Sequence, residues 1–198
     1  NSSVNVMAGD LKYWDFNGDG KIDGEDQIRN GVGSSPRANY GITADIRWRG
    51  FNLNMLWQGA TNYQKYLDAI LMGGNSNYLP VIYEFQTDIW TPDNTNSLYP
   101  RAHQAAGMTG NNNFVQSDFW YVDSHYIRLK NLTVGYDFKH KLLKNTKWLS
   151  KCYLSFTGYN LLTFSPAKKW GLDPESPSAN GYDYPVSRVY TFSLNLGF

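Results

Sequence analysis

The chain has 198 residues and a formal net charge of +1, from 18 Lys and Arg against 17 Asp and Glu. That length suits one domain or slightly more, and that balance indicates no overall attraction to nucleic acid or to a charged membrane surface. The lone cysteine, Cys152, excludes an internal disulfide, and no run approaches the roughly 18 apolar residues of a membrane-spanning helix.

Aromatic residues make up 16% of the chain, with 15 Tyr and 7 Trp. Such a content suits aromatic girdles or sugar-stacking surfaces. Membrane barrel strands hide in alternation and leave overall hydropathy polar, so composition leaves that class open. The opening Asn1-Ser2-Ser3 carries no basic-then-apolar leader, and the expectation is a removed leader or a piece of something longer.

Residues 1–38 read as loop. Within them Asp15-Phe16-Asn17-Gly18-Asp19-Gly20-Lys21-Ile22-Asp23-Gly24-Glu25-Asp26 spaces oxygen ligands as an EF-hand loop does. Asp15, Asn17, Asp19 and Asp26 offer side-chain oxygens, Lys21 its backbone carbonyl, and Asp23 a direct or water-mediated contact. Gly20 permits the sharp turn, and Ile22 is placed to anchor the loop. Position 12 is Asp26 rather than a bidentate Glu, which weakens the match. The expected ion is Ca²⁺ in a structural role, because no base or nucleophile lies nearby in sequence. The competing reading is an acidic Asx-turn loop without metal.

Residues 39–58 read as a hairpin. Tyr40, Ile42, Ala44, Ile46 and Trp48 alternate with Gly41, Thr43, Asp45 and Arg47. Arg49-Gly50 is short enough for a two-residue turn. Phe51, Leu53, Met55 and Trp57 then alternate with Asn52, Asn54, Leu56 and Gln58. Side chains along a strand point to opposite sides, so each arm has one oily face. Trp48, Phe51 and Trp57 stand where interfacial aromatics would stand.

Residues 59–125 break the rhythm. Helices are predicted over Asn62–Met72 and Leu79–Trp90, and 91–114 reads as irregular. Trp90 and Trp120, with Trp170 further on, are candidate ring-stacking residues for a substrate; packing of the loop's own small core competes with that role.

Residues 126–198 resume the strands. Leu132, Val134, Tyr136 and Phe138 share a face, while Ile127 and Leu129 fall out of step, which predicts a bulge near Lys130-Asn131. Residues 139–151 are basic, with a helical turn predicted around Leu142-Leu143. Cys152–Leu162 is a further strand, 163–187 a loop, and Arg188–Phe198 the closing strand. In that last stretch Tyr190, Phe192, Leu194, Leu196 and Phe198 alternate with small or polar residues. Its length matches the roughly 9–11 residues of a tilted strand crossing a bilayer.

The fold class read from this is all-β: about five C-terminal strands of a large antiparallel transmembrane β-barrel, with short helices in long outer loops. A soluble sandwich shows similar alternation. Loop lengths tip the balance. With strand directions alternating and the closing strand ending in the periplasm, 1–38, 59–125 and 163–187 fall outside. The shorter 49–50 and 139–151 fall on the periplasmic side, as in outer-membrane barrels. Five strands do not close a barrel, so further strands are expected elsewhere.

Several ordered stretches carry a resemblance. They are 9–13 with the acidic loop; Tyr40-Gly41; Arg49-Gly50-Phe51-Asn52-Leu53; Gln58-Gly59; 126–136; 159–163; Gly171-Leu172-Asp173-Pro174-Glu175; and 190–198. Together they resemble the carboxyl-terminal part of SusC/RagA-type TonB-dependent outer-membrane transporters. The resemblance implies an outer-membrane barrel with an internal plug, a SusD-like surface lipoprotein as lid, and energised import of glycans or peptides. Contact with the TonB complex is implied through regions absent from this chain.

Two other functions compete. One is a soluble, secreted, calcium-dependent carbohydrate-binding β-module. The other is a hydrolase, disfavoured because Asp173 and Glu175 flank Pro174 in a turn-like stretch and lack the separation that acid and base need across a sugar. His103, His125 and His140 fit no triad or zinc spacing. The expectation is therefore a non-enzyme.

Overall fold

The computed structural model describes residues 6–67, 71, 84–102, 112–180, 183–184 and 186–198. Seven strands run along them: β1 (Ala38–Trp48), β2 (Phe51–Thr61), β3 (Gln64–Tyr66), β4 (Tyr121–Asp123), β5 (Tyr126–Asp137), β6 (Lys151–Phe164) and β7 (Val189–Gly197). The chain divides into two compact units, one of 1–34, 64–123 and 167–183, the other of 35–63, 124–166 and 184–198.

The second unit is one antiparallel sheet in the order β1-β2-β5-β6-β7. The five strands are those expected from alternation, with β2 reaching Thr61 and β6 reaching Phe164. Arg49 and Gly50 both adopt positive φ, 48° and 92°. Two left-handed residues give the tight turn whose twist matches the flanking strands.

The predicted bulge is present. Leu56 of β2 faces Asn131, and its neighbour Trp57 faces Leu129, so the register between the two strands steps over Lys130. The extra residue shifts the phase of β5. Leu129, out of step in sequence, now faces Trp57, which shares a side with Leu53 and Met55. On the other flank Leu129 faces Leu162 and Asn131 faces Tyr159. The bulge thus returns an apparently misplaced leucine to the apolar side.

The first unit is loop built around a small core. Leu67, Leu71, Tyr99, Trp120, Val122, Ala167, Trp170, Leu172 and Ala179 pack together, with Leu11, Ile89, Leu98 and Phe114 against them. β3 pairs with β4, Gln64 opposite Asp123 and Tyr66 opposite Tyr121. This corrects the first half of the helix predicted over Asn62–Met72: residues 64–66 are strand, Leu71 is helical, and 68–70 and 72 lie outside the described residues. Of the predicted Leu79–Trp90 helix, 79–83 also lie outside them. The described remainder is a short 3-10 turn, Glu84–Thr87, followed by an extended stretch in which Ile89 bridges Tyr99. The turn predicted around Leu142-Leu143 lies within a hydrogen-bonded turn over 141–145, closed by the Leu143 amide on the Phe138 carbonyl at 2.8 Å, and follows a 3-10 turn, Phe138–His140, in which the Asp137 carboxylate accepts the Lys139 N–H at 2.9 Å.

Candidate functional site

Pairing register decides what the sheet offers on each side, because residues opposite one another share a face. One row runs Ile46, Leu53, Val134, Phe156, Phe192 across all five strands. The next runs Trp48, Phe51, Tyr136, Leu154, Leu194. Phe51 and Tyr136 rings stand 4.5 Å apart, and Phe156 and Phe192 rings 5.1 Å. These rows are exposed: Ile46 at 52%, Phe192 at 76% and Leu194 at 61%. A continuous apolar surface of this extent needs a partner.

The other face is wet. Asp45, Asn54, Thr133, Thr157 and Thr191 form one row, and Arg47, Asn52, Gly135, Ser155 and Ser193 the next. Arg47 Nε lies 3.2 Å from Asp45, an exposed ion pair of small energetic weight. Among the described residues the oily rows stay exposed, without the second sheet that a soluble sandwich would press against them. Both edges, β1 and β7, have one paired side only. In hydrocarbon an open edge leaves backbone groups unsatisfied, so such a sheet spans a membrane only as part of a closed barrel.

The acidic loop folds on its own backbone. Asp15 accepts the amides of Gly18 at 2.6 Å and Gly20 at 2.7 Å. Asn17 accepts that of Asp19, Asp19 that of Lys21, and Asp23 that of Glu25, each at 2.8–2.9 Å. Asp26 closes the loop by accepting the amides of Asp23, Phe16 and Asn17. Those amides, Asp23's foremost, hold the Asp26 carboxyl below its ordinary range. Asp23 caps the 3-10 turn Gly24–Asp26. Ile22 is 43% exposed rather than an anchor. Among the described residues no group of three or more His, Cys, Asp or Glu is arranged to hold a metal ion. The six predicted ligands lie together on this one compact loop.

The tryptophans separate. Trp120 is fully buried and Trp170 is 6% exposed, both inside the core of the first unit. Trp120 donates its indole N–H to the Asn113 carbonyl at 2.8 Å, and its ring meets those of Phe119 and Tyr99. Neither ring has a face open to a ligand in this structure, because packing covers both. Trp90 is half-buried, with the Arg101 guanidinium 5.7 Å from its ring centroid. Asp173 and Glu175 form a turn, the Glu175 amide donating to the Asp173 carboxylate at 2.9 Å.

Two polar groups central to the first unit gave no sequence signal. Asn113, 1% exposed, accepts the Leu11 amide at 2.7 Å and donates to Asp10 and the Arg101 carbonyl. Lys65, 8% exposed, donates to the carbonyls of Asp173 and Ser176. Burial pushes the Lys65 ammonium down, against the pull of Asp173, Asp183 and Glu175. Both residues act across long sequence separations, so no local pattern marks them.

An exposed oily face, a polar face and two unpaired edges define a piece of an outer-membrane β-barrel wall. No family model matches the chain. It is 30% identical over 202 residues to TonB-dependent receptor P3 of Formosa agariphila, covering 94% of this chain and 19% of that protein. It is 26% identical over 208 residues to TonB-dependent receptor P26 of the same species, covering 97% and 20%. TonB-dependent receptor SusC of Bacteroides thetaiotaomicron is 23% identical over 193 residues, covering 94% and 17%. The chain thus spans about a fifth of the length of these relatives. Among solved structures, the RagAB peptide transporter superposes with a TM-score of 0.64 at 20% identity, covering 90% of this chain and 19% of that one. The RagAB peptide importer in its open-open state gives 0.62 at the same identity and coverage. The chain is similar over nearly its whole length to part of SusC/RagA-type TonB-dependent receptors, which are proteins of the outer membrane, and its sheet has the fold of their barrel wall.

Proposed function

We infer that this segment serves in the import of glycans or peptides, as wall and outer loops of a transporter working with a SusD-like surface lipoprotein. The observation that carries the reading is the register. Five strands place the rows from Ile46 to Phe192 and from Trp48 to Leu194 on one side, and the rows from Asp45 to Thr191 and from Arg47 to Ser193 on the other. Oily rows facing hydrocarbon and polar rows facing a pore satisfy both without a second sheet. Trp90 is the substrate-stacking candidate that retains a partly open ring. TonB engagement would fall to parts of the receptor outside this chain. No covalent chemistry is assigned to the segment.

Calcium belongs to the same proposal as a structural ion of the acidic loop. A carboxylate has about four lone-pair sites and a carboxamide oxygen two, so Asp15, Asp19, Asp23 and Asp26, and Asn17 with one remaining lone pair, can keep their amide bonds and still offer oxygen to a cation. The Lys21 carbonyl would complete the set. Binding would draw these oxygens together and stiffen the loop.

The test is uptake. Cells carrying or lacking the full-length receptor are offered labelled oligosaccharides and labelled peptides of matched size. Loss of uptake of one class on deletion supports the reading and names the cargo. Unchanged uptake of both classes contradicts it.

A further inference from the structure

The near-neutral net charge hides a segregation along the chain. Residues 138–151, which connect β5 to β6, hold five lysines and no Asp or Glu. Lys141, Lys144, Lys147 and Lys151 are exposed. Among the described residues the ion pair found is Arg47 with Asp45, so none of these four is neutralised by one. Lys139 instead donates its ammonium to the Thr146 carbonyl and shapes the turn from within.

Hydrogen bonds fix where this charge sits. The Asp137 amide donates to the Gly50 carbonyl at 2.8 Å, and the Ser150 amide to the Gly197 carbonyl at 2.8 Å. The β1–β2 turn, the basic connection and the end of β7 therefore lie together at one end of the sheet. The same end carries exposed rings. Trp148 stacks on Phe198 with centroids 6.0 Å apart and planes 18° apart, yet the two are 69% and 83% exposed. Phe198 continues the oily series Tyr190, Phe192, Leu194, Leu196 of β7.

We propose that this end of the sheet is a binding belt for anionic phospholipid headgroups. The proposal rests on the barrel-wall reading and names a lipid class for one rim of it. Stacked rings at the margin of a lipid-facing surface fit the level where acyl chains meet headgroups. Lysines beside them reach past that level with their ammonium groups and meet phosphate. Four unpaired positive charges with no acid among them select a negatively charged headgroup over a zwitterionic one. An acidic protein surface would match the lysines alone. The ring pair, continuous with the oily rows, matches lipid.

The experiment uses the full-length receptor in lipid nanodiscs that contain phosphatidylglycerol and phosphatidylcholine with the same acyl chains. Native mass spectrometry then reads which lipids stay bound. Retention of the anionic lipid on the order of tenfold over the zwitterionic is expected at low ionic strength, because each surface charge adds a several-fold preference. High salt should bring the ratio towards parity. The fourfold variant K141Q/K144Q/K147Q/K151Q should lose the preference, and the fourfold Arg variant should keep it. Equal retention by the unmodified receptor overturns the proposal, as does a preference that survives in the Gln variant or in high salt. If the Gln variant fails to fold, the salt titration of the unmodified receptor still decides. Failure of the unmodified receptor to enter nanodiscs of any composition would instead overturn the wall reading.

Discussion

Thr133 and Thr157 face each other across β5 and β6 with their hydroxyls 3.1 Å apart. Their immediate neighbours, Val134 and Phe156, face each other on the opposite side. One peptide unit separates a hydrogen-bonded polar contact from an apolar one, and β7 repeats the arrangement with Thr191 and Phe192.

Adjacent positions on β7 should therefore respond oppositely to charge. Phe192→Arg places a guanidinium against lipid, at about 2–4 kcal/mol near the bilayer midplane. Thr191→Arg points the same group to the polar side and should leave folding within about 0.5 kcal/mol of the parent, the usual range for a solvated substitution. Denaturant unfolding of the full-length receptor in vesicles, read by its heat-modifiable gel mobility, compares them.

Asn113→Ala should loosen the first unit. It strips the partner from the Leu11 amide and from the Arg101 carbonyl, each left-over buried group costing about 1–3 kcal/mol. Hydrogen–deuterium exchange should speed up by about tenfold or more around residues 9–13, with peptides from β5 and β6 unchanged.

Acid should release the contacts that Asp183 makes with Ser176 and Ser178. Asp183 accepts the hydroxyls of Ser176 and Ser178 at 2.6 and 2.9 Å, and these hold its carboxyl below the ordinary value of 3.8. A depressed folded-state pKa gives stability that is present above 3.8 and lost as pH falls through the lower folded value. Lys65 runs the other way. Its folded-state pKa lies below 10.5, so its contribution rises as pH climbs between those two values. Exchange at the Ser178 amide, measured across the acid range, should quicken below pH 3.8 in the parent. In Asp183→Asn that acid dependence should be absent.

Millimolar Ca²⁺ should raise the thermal midpoint of the full-length receptor and give a calorimetric binding signal. Asp15→Ala and Asp19→Ala should abolish both, since each also removes an acceptor for loop amides. No response in the unmodified receptor removes calcium from the account and leaves the Asx-turn reading of the loop.

The strands and their bulge were legible because period-two alternation is local and strong. Ile127 and Leu129 fell out of phase in sequence, and an inserted Lys130 is the physical device that restores them. The pairing of β3 with β4 was not legible. Tyr63, Tyr66 and Leu67 fit helical spacing as well as any other, and three residues of strand show no period. Their partner lies more than fifty positions away at Tyr121–Asp123, so tertiary pairing overrode local preference. The fate of the tryptophans was partly legible, since packing of the loop's own small core was the competing reading for Trp120 and Trp170. Contacts from distant loop segments place Trp120 and Trp170 in the interior, which is the packing reading rather than the sugar platform. The motif of the acidic loop was fully visible in sequence, whereas its network of amide bonds was not.

The most direct test of the two-faced wall places a single spin label at each of residues 133, 134, 156, 157, 191 and 192 of the full-length receptor in bilayers, with Cys152 replaced. Accessibility is then read with a lipid-soluble and a water-soluble relaxation agent. Labels at 134, 156 and 192 should respond to the lipid-soluble agent, and those at 133, 157 and 191 to the aqueous one. Equal response to both agents at neighbouring positions, or protection of 134, 156 and 192 from both, would contradict it.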